Sequence, residues 1–308
     1  MDERPATLVL SGGGARGAFQ VGAERVLREE FGFRWERIFG VSVGGLNALL
    51  LGQQEYGQLM NLWLTIRELD VYRKIPWPMV AFRIGVQKKL GFYDNSPLRA
   101  LVQKYAAGRP FRVPVYVGRV SLVSGEYESV THEAPDFLDA VWQGATLPVI
   151  WEAIGPRAYV DGGLRNNTPL GDALSLNPPR IVVILCNSLG PDVVSPPASV
   201  LDVARRSLTD IAINEILRND VEEFVRVNEL VRQARDKGGV TLEKPDGTPY
   251  VYCPITVLQP EKPMGDSLDF SPETIRLRIR YGEEVARAVM AQQAVLNVPP
   301  PVPSPPVH

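Results

Sequence analysis

Short apolar runs alternate with helix-patterned stretches from the start of the chain. Residues 7–11, TLVLS, are apolar and β-prone; after a glycine-rich loop comes AFQVGAERVLREE, where Phe19, Ala23, Val26 and Leu27 recur at helical spacing on one face. The same order returns in RIFGVSVGGLNALLLG, which predicts a strand ending near Val41, a turn at Ser42 and a helix closed by Gly52. Two strand–turn–helix units in succession predict a parallel sheet covered by helices.

Further on, Ser96-Pro97 reads as the cap and first turn ahead of LRALVQKYA, and VPVYVGRVSLVSGEYESVT alternates like two strands around a Ser124-Gly125 turn. APDFLDAVWQGAT returns to helical spacing, while AYVDGG and RIVVILCN read as buried strands. From Leu201 to Asp236 the pattern is helical without proline or glycine, which predicts one long helix or two with a bend. YVYCPITVL reads as a strand and SPETIRLRIRYGEEVARAVMAQQAVL as a capped helix. A single domain is expected over residues 1–297, with the proline-rich stretch 298–308 extended or unpacked. There is no repeat of fixed period.

Composition narrows the classes. The chain has 308 residues, 45% hydrophobic and 22% charged, with a formal charge of -2, so nothing global draws it to nucleic acid. Two cysteines make no disulfide framework, and Cys186 reads as a small buried apolar residue. The start, MDERPATLVLSGGG, lacks the basic region and long apolar core of a secretory signal, and no apolar run approaches the ~18 residues of a spanning helix. The expectation is a cytoplasmic protein with peripheral membrane contact left open. No clustered ligand set suggests a metal, and no cofactor is expected. Oligomeric state is not legible.

Candidate chemistry begins at Gly40-Val41-Ser42-Val43-Gly44, the G-x-S-x-G pattern of a serine on a cramped strand-to-helix turn. A serine nucleophile needs a base, and the only histidines are His132, which reads as a surface or capping residue, and His308. The loop Gly12-Gly13-Gly14-Ala15-Arg16-Gly17 places bare amides after a strand, where they can meet the oxyanion of a tetrahedral intermediate. Arg16 either adds positive charge near an anionic group or pairs with an acidic neighbour. Gly12, Gly14 and Gly17 also spell a dinucleotide fingerprint, but the acidic residue expected ~20 positions on, at the end of a second strand, is missing. Asp161, in YVDGGLRNNTPL, follows an apolar run and precedes Gly162 and Gly163; alone, an Asp-Gly pair reads as a turn.

In this order, SGGGARG, GVSVGGLNAL and DGG resemble the patatin-like phospholipases, and ATLPVIWEAI and DFSPETIRLRIRYGEEVARA are similar to further family segments, so the likeness runs from about residue 6 to 290. Thr146 stands where the family commonly has serine. The resemblance implies a three-layer α/β/α fold with a mainly parallel central sheet, and a lipid acyl hydrolase of phospholipase A, lysophospholipase or esterase type. It implies Ser42 as nucleophile, Asp161 as general base without histidine, and amides around Gly13, Gly14 and Ala15 as oxyanion hole, supported by Arg16. The substrate implied is a phospholipid or other acyl lipid. A lipid transacylase and a catalytically idle lipid-binding or regulatory protein are the other readings.

Residues 71–92, VYRKIPWPMVAFRIGVQKKLGF, mix Trp77, Met79, Phe82 and Phe92 with Arg73, Lys74, Arg83, Lys88 and Lys89 and hold no acidic side chain. Such interleaving suits an anionic bilayer surface, so segment 71–95 reads as an interfacial cap or lid, or as a solvated cap packed on the core.

Overall fold

The computed structural model describes residues 4–86, 91–106, 108–190 and 196–296. From the amino end, β1 (Arg4–Leu10) leads through a 3-10 turn at Gly14–Arg16 into α1 (Gly17–Phe31), and β2 (Phe33–Val41) leads into α2 (Val43–Gly52). Helices α3 (Tyr56–Thr65) and α4 (Glu68–Val71) precede an excursion of β3 (Arg73–Lys74), α5 (Trp77–Gly85) and β4 (Tyr93–Asp94), followed by α6 (Ser96–Ala106). Then come β5 (Val115–Ser121), β6 (Tyr127–Thr131), α7 (Phe137–Gln143), β7 (Tyr159–Asp161), α8 (Leu170–Ser175) and β8 (Ile181–Ile184). α9 (Val200–Arg205) continues through a π-helical stretch, Arg206–Ala212, into α10 (Ile213–Gly238), after which β9 (Ile255–Leu258) and α11 (Pro272–Leu296) complete the order.

The main sheet runs β6-β5-β2-β1-β8-β9, with β7 also beside β5. The pairings of β1 with β2 and β8, of β2 with β5 and of β8 with β9 are parallel; β6 and β7 run antiparallel to β5. Side chains of period two divide between the faces. Ala6, Leu8 and Leu10 of β1 join Phe19 of α1, Leu49 of α2 and Ile279 of α11 in one core, whereas Val9 joins Leu170 of α8 and Leu217 and Val221 of α10 in the other. β8 splits alike, Val182 and Ile184 on the first side and Ile181 and Val183 on the second. Each fully buried Leu or Val of this kind contributes ~1.5–3 kcal/mol, so the sheet is held from both sides in three α/β/α layers. On the first side α1 and α11 meet at backbone contact, where a Cβ on Gly22 would sit 2.0 Å from the Ile279 carbonyl oxygen.

One expectation changes, and one alternative is resolved. YVYCPITVL forms a strand only over Ile255–Leu258, because Pro254 has no N–H for the ladder and Val251 before it is exposed. The stretch from Leu201 to Asp236 forms helix throughout, with its irregularity taken up in the π-helical turn rather than in a break. Lys88, Lys89, His308 and the proline-rich tail 298–308 lie outside the described residues, as does the side chain of Trp77.

Candidate active site

The site is assembled by strand register. Leu10 of β1 pairs with Gly40 of β2, so the chain segments that follow, the glycine loop and the Ser42 turn, leave the sheet side by side at its carboxyl edge. β5 offers one edge to two partners in turn: its Gly118 pairs with Val41 of β2, and its next residue, Arg119, pairs with Asp161 of β7. The antiparallel β7 therefore delivers Asp161 to the spot where β2 ends and Ser42 begins.

Ser42 has φ 55° and ψ -127°, a left-handed conformation costing ~1–3 kcal/mol for a residue with a side chain. The crowding explains the flanking glycines. A Cβ on Gly40 would lie 2.3 Å from the carbonyl oxygen of Gly44, and one on Gly44 would lie 2.3 Å from that of Leu10. Ser42 then opens α2, where the helix dipole favours negative charge.

Asp161 is 1% exposed. Its Oδ1 accepts the Gly163 amide at 2.8 Å, while Oδ2 is buried without a hydrogen bond among the described residues. Burial pushes the carboxyl up to about 6; the Ser42 hydroxyl, close enough to favour the ionised form, and the Gly163 N–H pull it partly back. Gly162 and Gly163 form the 3-10 turn that the Asp161 side chain caps.

Of the six residues Gly12 to Gly17, four have amides that are already engaged. Gly12 donates to Asn167 Oδ1 at 3.1 Å, Ala15 to the Ser267 carbonyl at 2.7 Å, Arg16 to that of Gly13 at 3.2 Å, and Gly17 to that of Gly14. Among the described residues, Gly13 and Gly14 N–H have no internal acceptor, so the amides available for a ligand narrow to these two. Arg16 resolves to the acidic neighbour: its Nη2 lies 3.3 Å from Asp210, its Nη1 donates to Asn187 Oδ1 at 2.5 Å and its Nε to the Gly265 carbonyl at 2.9 Å.

Two hollows meet at Ser42, Gly14 and Leu147. The larger encloses about 820 Å³ with its mouth included and is walled by apolar side chains, among them Val43, Leu46, Trp63, Leu98, Val102 and Phe270. The smaller, about 390 Å³, is lined by the polar side chains of Asp161, Asn167, Arg16 and Asp210 together with Leu147 and Ile213. His132 is remote from both. Its amide and ring bind Val115 at the amino end of β5, and its ring packs against Phe111.

Sequence patterns did not reveal the polar supports. Asn47 donates to the Gly17 carbonyl at 3.1 Å and to Gln20 Oε1 at 2.9 Å, and it accepts Trp63 Nε1 at 2.8 Å. Gln20 in turn donates to the carbonyls of Ser11 at 2.9 Å and Ile184 at 3.0 Å, locking α1, α2 and α3 under the glycine loop. The only sequence signal was an amide on each of two faces that are otherwise apolar. In segment 71–95, β3 and β4 pair, Met79, Phe82 and Val86 are exposed at helical spacing, and Lys74 and Arg83 reach Glu68 and Glu152.

Among the described residues no helix is long and apolar enough to cross a membrane, and no group of three or more His, Cys, Asp or Glu can hold a metal. Both cysteines are free and buried.

The family model described as patatin-like phospholipase matches residues 8–174. A curated protein of Bacillus subtilis (strain 168), named "Uncharacterized protein YqhO", is 25% identical over 191 residues. That alignment takes in 53% of this chain and 64% of the relative, so the chain spans less than two thirds of that protein's length. Among solved structures, VipD from Legionella pneumophila aligns with 93% of this chain and 67% of its own at 12% identity and a TM-score of 0.43. The family match takes in the glycine loop, the Ser42 elbow and Asp161 together, and the chain belongs to the patatin-like phospholipase family.

Proposed function

We propose that the chain is a lipid acyl hydrolase that cleaves fatty acyl esters through an acyl-serine intermediate. The reading is carried by one observation: Ser42, strained at its elbow, stands where an apolar cavity meets a polar pocket containing a carboxyl raised to about 6. Asp161 takes the proton from Ser42 Oγ as the oxygen attacks the ester carbonyl. The Gly13 and Gly14 amides donate to the resulting oxyanion, aided by the amino end of α2. Collapse breaks the ester bond, Asp161 returns its proton to the departing alcohol, and water repeats the sequence to release the acid. The acyl chain lies in the apolar cavity meanwhile.

Segment 71–95 is the membrane-facing cap in this reading, with Met79, Phe82 and Val86 entering the lipid surface beside Arg73 and Lys74. A fluorophosphonate probe tests the core of the proposal. It should label the wild-type protein at Ser42 and leave Ser42→Ala unlabelled, and labelled protein should no longer release fatty acid from mixed liposomes. An unlabelled Ser42 would identify an idle lipid binder instead.

A further inference from the structure

We propose that the alcohol half of the substrate is an uncharged polyol, as in a monoacylglycerol, rather than one with a phosphate next to the scissile ester; this rests on the hydrolase reading above. With the acyl chain in the apolar cavity, the alcohol must occupy the polar pocket, since the two hollows join at Ser42, Gly14 and Leu147. The charged side chains of that pocket are Arg16, Asp161 and Asp210.

Arg16 is the only cation among these described side chains, and it is held in place beside a carboxylate. Its three nitrogens go to the Gly265 carbonyl, Asn187 and Asp210, and its side chain is 8% exposed. An entering phosphate would meet the Arg16 charge already offset by the Asp210 carboxylate while facing that of Asp161. Asp210 is held from the other side too, with Oδ2 lying 3.5 Å from Arg206 Nη1. The vestibule outside offers no compensating field: Arg16, Arg205 and Arg206 stand against Asp202, Asp210 and Asp266, and Arg205 holds Asp266 at 2.5 Å. Like-charge contact penalises an anionic ligand, whereas a hydroxyl pays no such cost.

The groups left over suit hydroxyls. Asn167, 1% exposed, lines the pocket with a buried Nδ2 that has no hydrogen-bond partner among the described residues. That donor and the Asp210 carboxylate, an acceptor lining the same pocket, match the vicinal hydroxyls of a glycerol. Hydrogen-bond complementarity thus selects the polyol, and the carboxylates act against the anion.

The test uses two esters with one acyl chain, 1-decanoylglycerol and 1-decanoylglycerol 3-phosphate, assayed with the full chain as monomers in solution. The expected kcat/KM favours the uncharged ester by about tenfold or more. The Asp210→Asn variant, verified as folded by its melting transition, should narrow that ratio by freeing the Arg16 guanidinium. Equal or faster cleavage of the phosphate ester overturns the assignment and leaves the hydrolase reading intact. So does cleavage of neither ester by a protein whose Ser42 reacts with a fluorophosphonate, and so does an unchanged ratio in folded Asp210→Asn. Absence of both labelling and cleavage overturns the two readings together.

Discussion

The amide of Ala15 donates to the carbonyl of Ser267 at 2.7 Å, tying the glycine loop after β1 to the loop that precedes α11. That second loop is shaped by Arg278, a nearly buried α11 residue whose guanidinium donates to the carbonyls of Met264, Asp266 and Asp269 at 2.7–3.1 Å. Replacing Arg278 with Met keeps the aliphatic bulk but orphans these carbonyls, at about 1–3 kcal/mol for each that stays buried. Urea denaturation of Arg278→Met should show that loss. At a temperature where the variant is fully folded, its fluorophosphonate labelling should be slowed by about tenfold, because the Gly13 and Gly14 amides lose their alignment. Wild-type labelling rates in the folded variant would refute the coupling.

Ser42→Ala and Asp161→Asn should each lower kcat by about 10^4-fold or more, and the double variant should be little worse than either single one, as expected of groups acting as a unit. Fatty acid release measured by mass spectrometry decides it. Multiplying losses would mean that the two residues act independently.

With Asp161 as the proposed base and its carboxyl near 6, kcat/KM should rise through a midpoint close to pH 6 and level off above about pH 7. Stability follows the opposite sense. An acid whose folded value is raised above its unfolded one binds its proton more tightly when folded, so ionisation of Asp161 weakens the fold as pH climbs from about 4 to 6. The shift corresponds to on the order of 2–3 kcal/mol. Asp161→Asn should therefore melt higher than wild type at pH 7.5, with the difference fading near pH 4; a lower melting point for the variant at pH 7.5 would contradict this account.

Val102, buried on α6, lines the apolar cavity. Val102→Phe fills part of it, at a packing cost of about 1–3 kcal/mol. Hydrolysis of long-chain p-nitrophenyl esters should fall by tenfold or so, with butanoate ester turnover retained. An unchanged chain-length profile would place the acyl chain elsewhere.

What could be read from the chain was local. The strand, glycine loop and helix near residue 12, the elbow at Ser42 and the Asp161-Gly162-Gly163 turn each declare themselves within a few residues, since backbone crowding acts over that range. The Arg16–Asp210 pair, the Asn167 contact to Gly12 and the Arg278 cradle were invisible because they join residues far apart in sequence, where nothing in either segment names its partner. The glycine loop likewise suggested six amides, and only tertiary contacts reveal that four are engaged.

The π-helical turn at Arg206–Ala212 carries Thr209 and Asp210 to the polar pocket and runs straight into α10, which Leu217 and Val221 anchor beneath the sheet. Wide turns of this kind accommodate one more residue than an α-helical turn. Deleting a single residue there would let the helix tighten and swing everything upstream by about 100° around the axis, since each α-helical residue turns by that angle. The anchored end would stay in place while Arg205 and Asp202 of α9 rotated away from Asp266, so one codon's worth of chain sets which charges an incoming substrate meets.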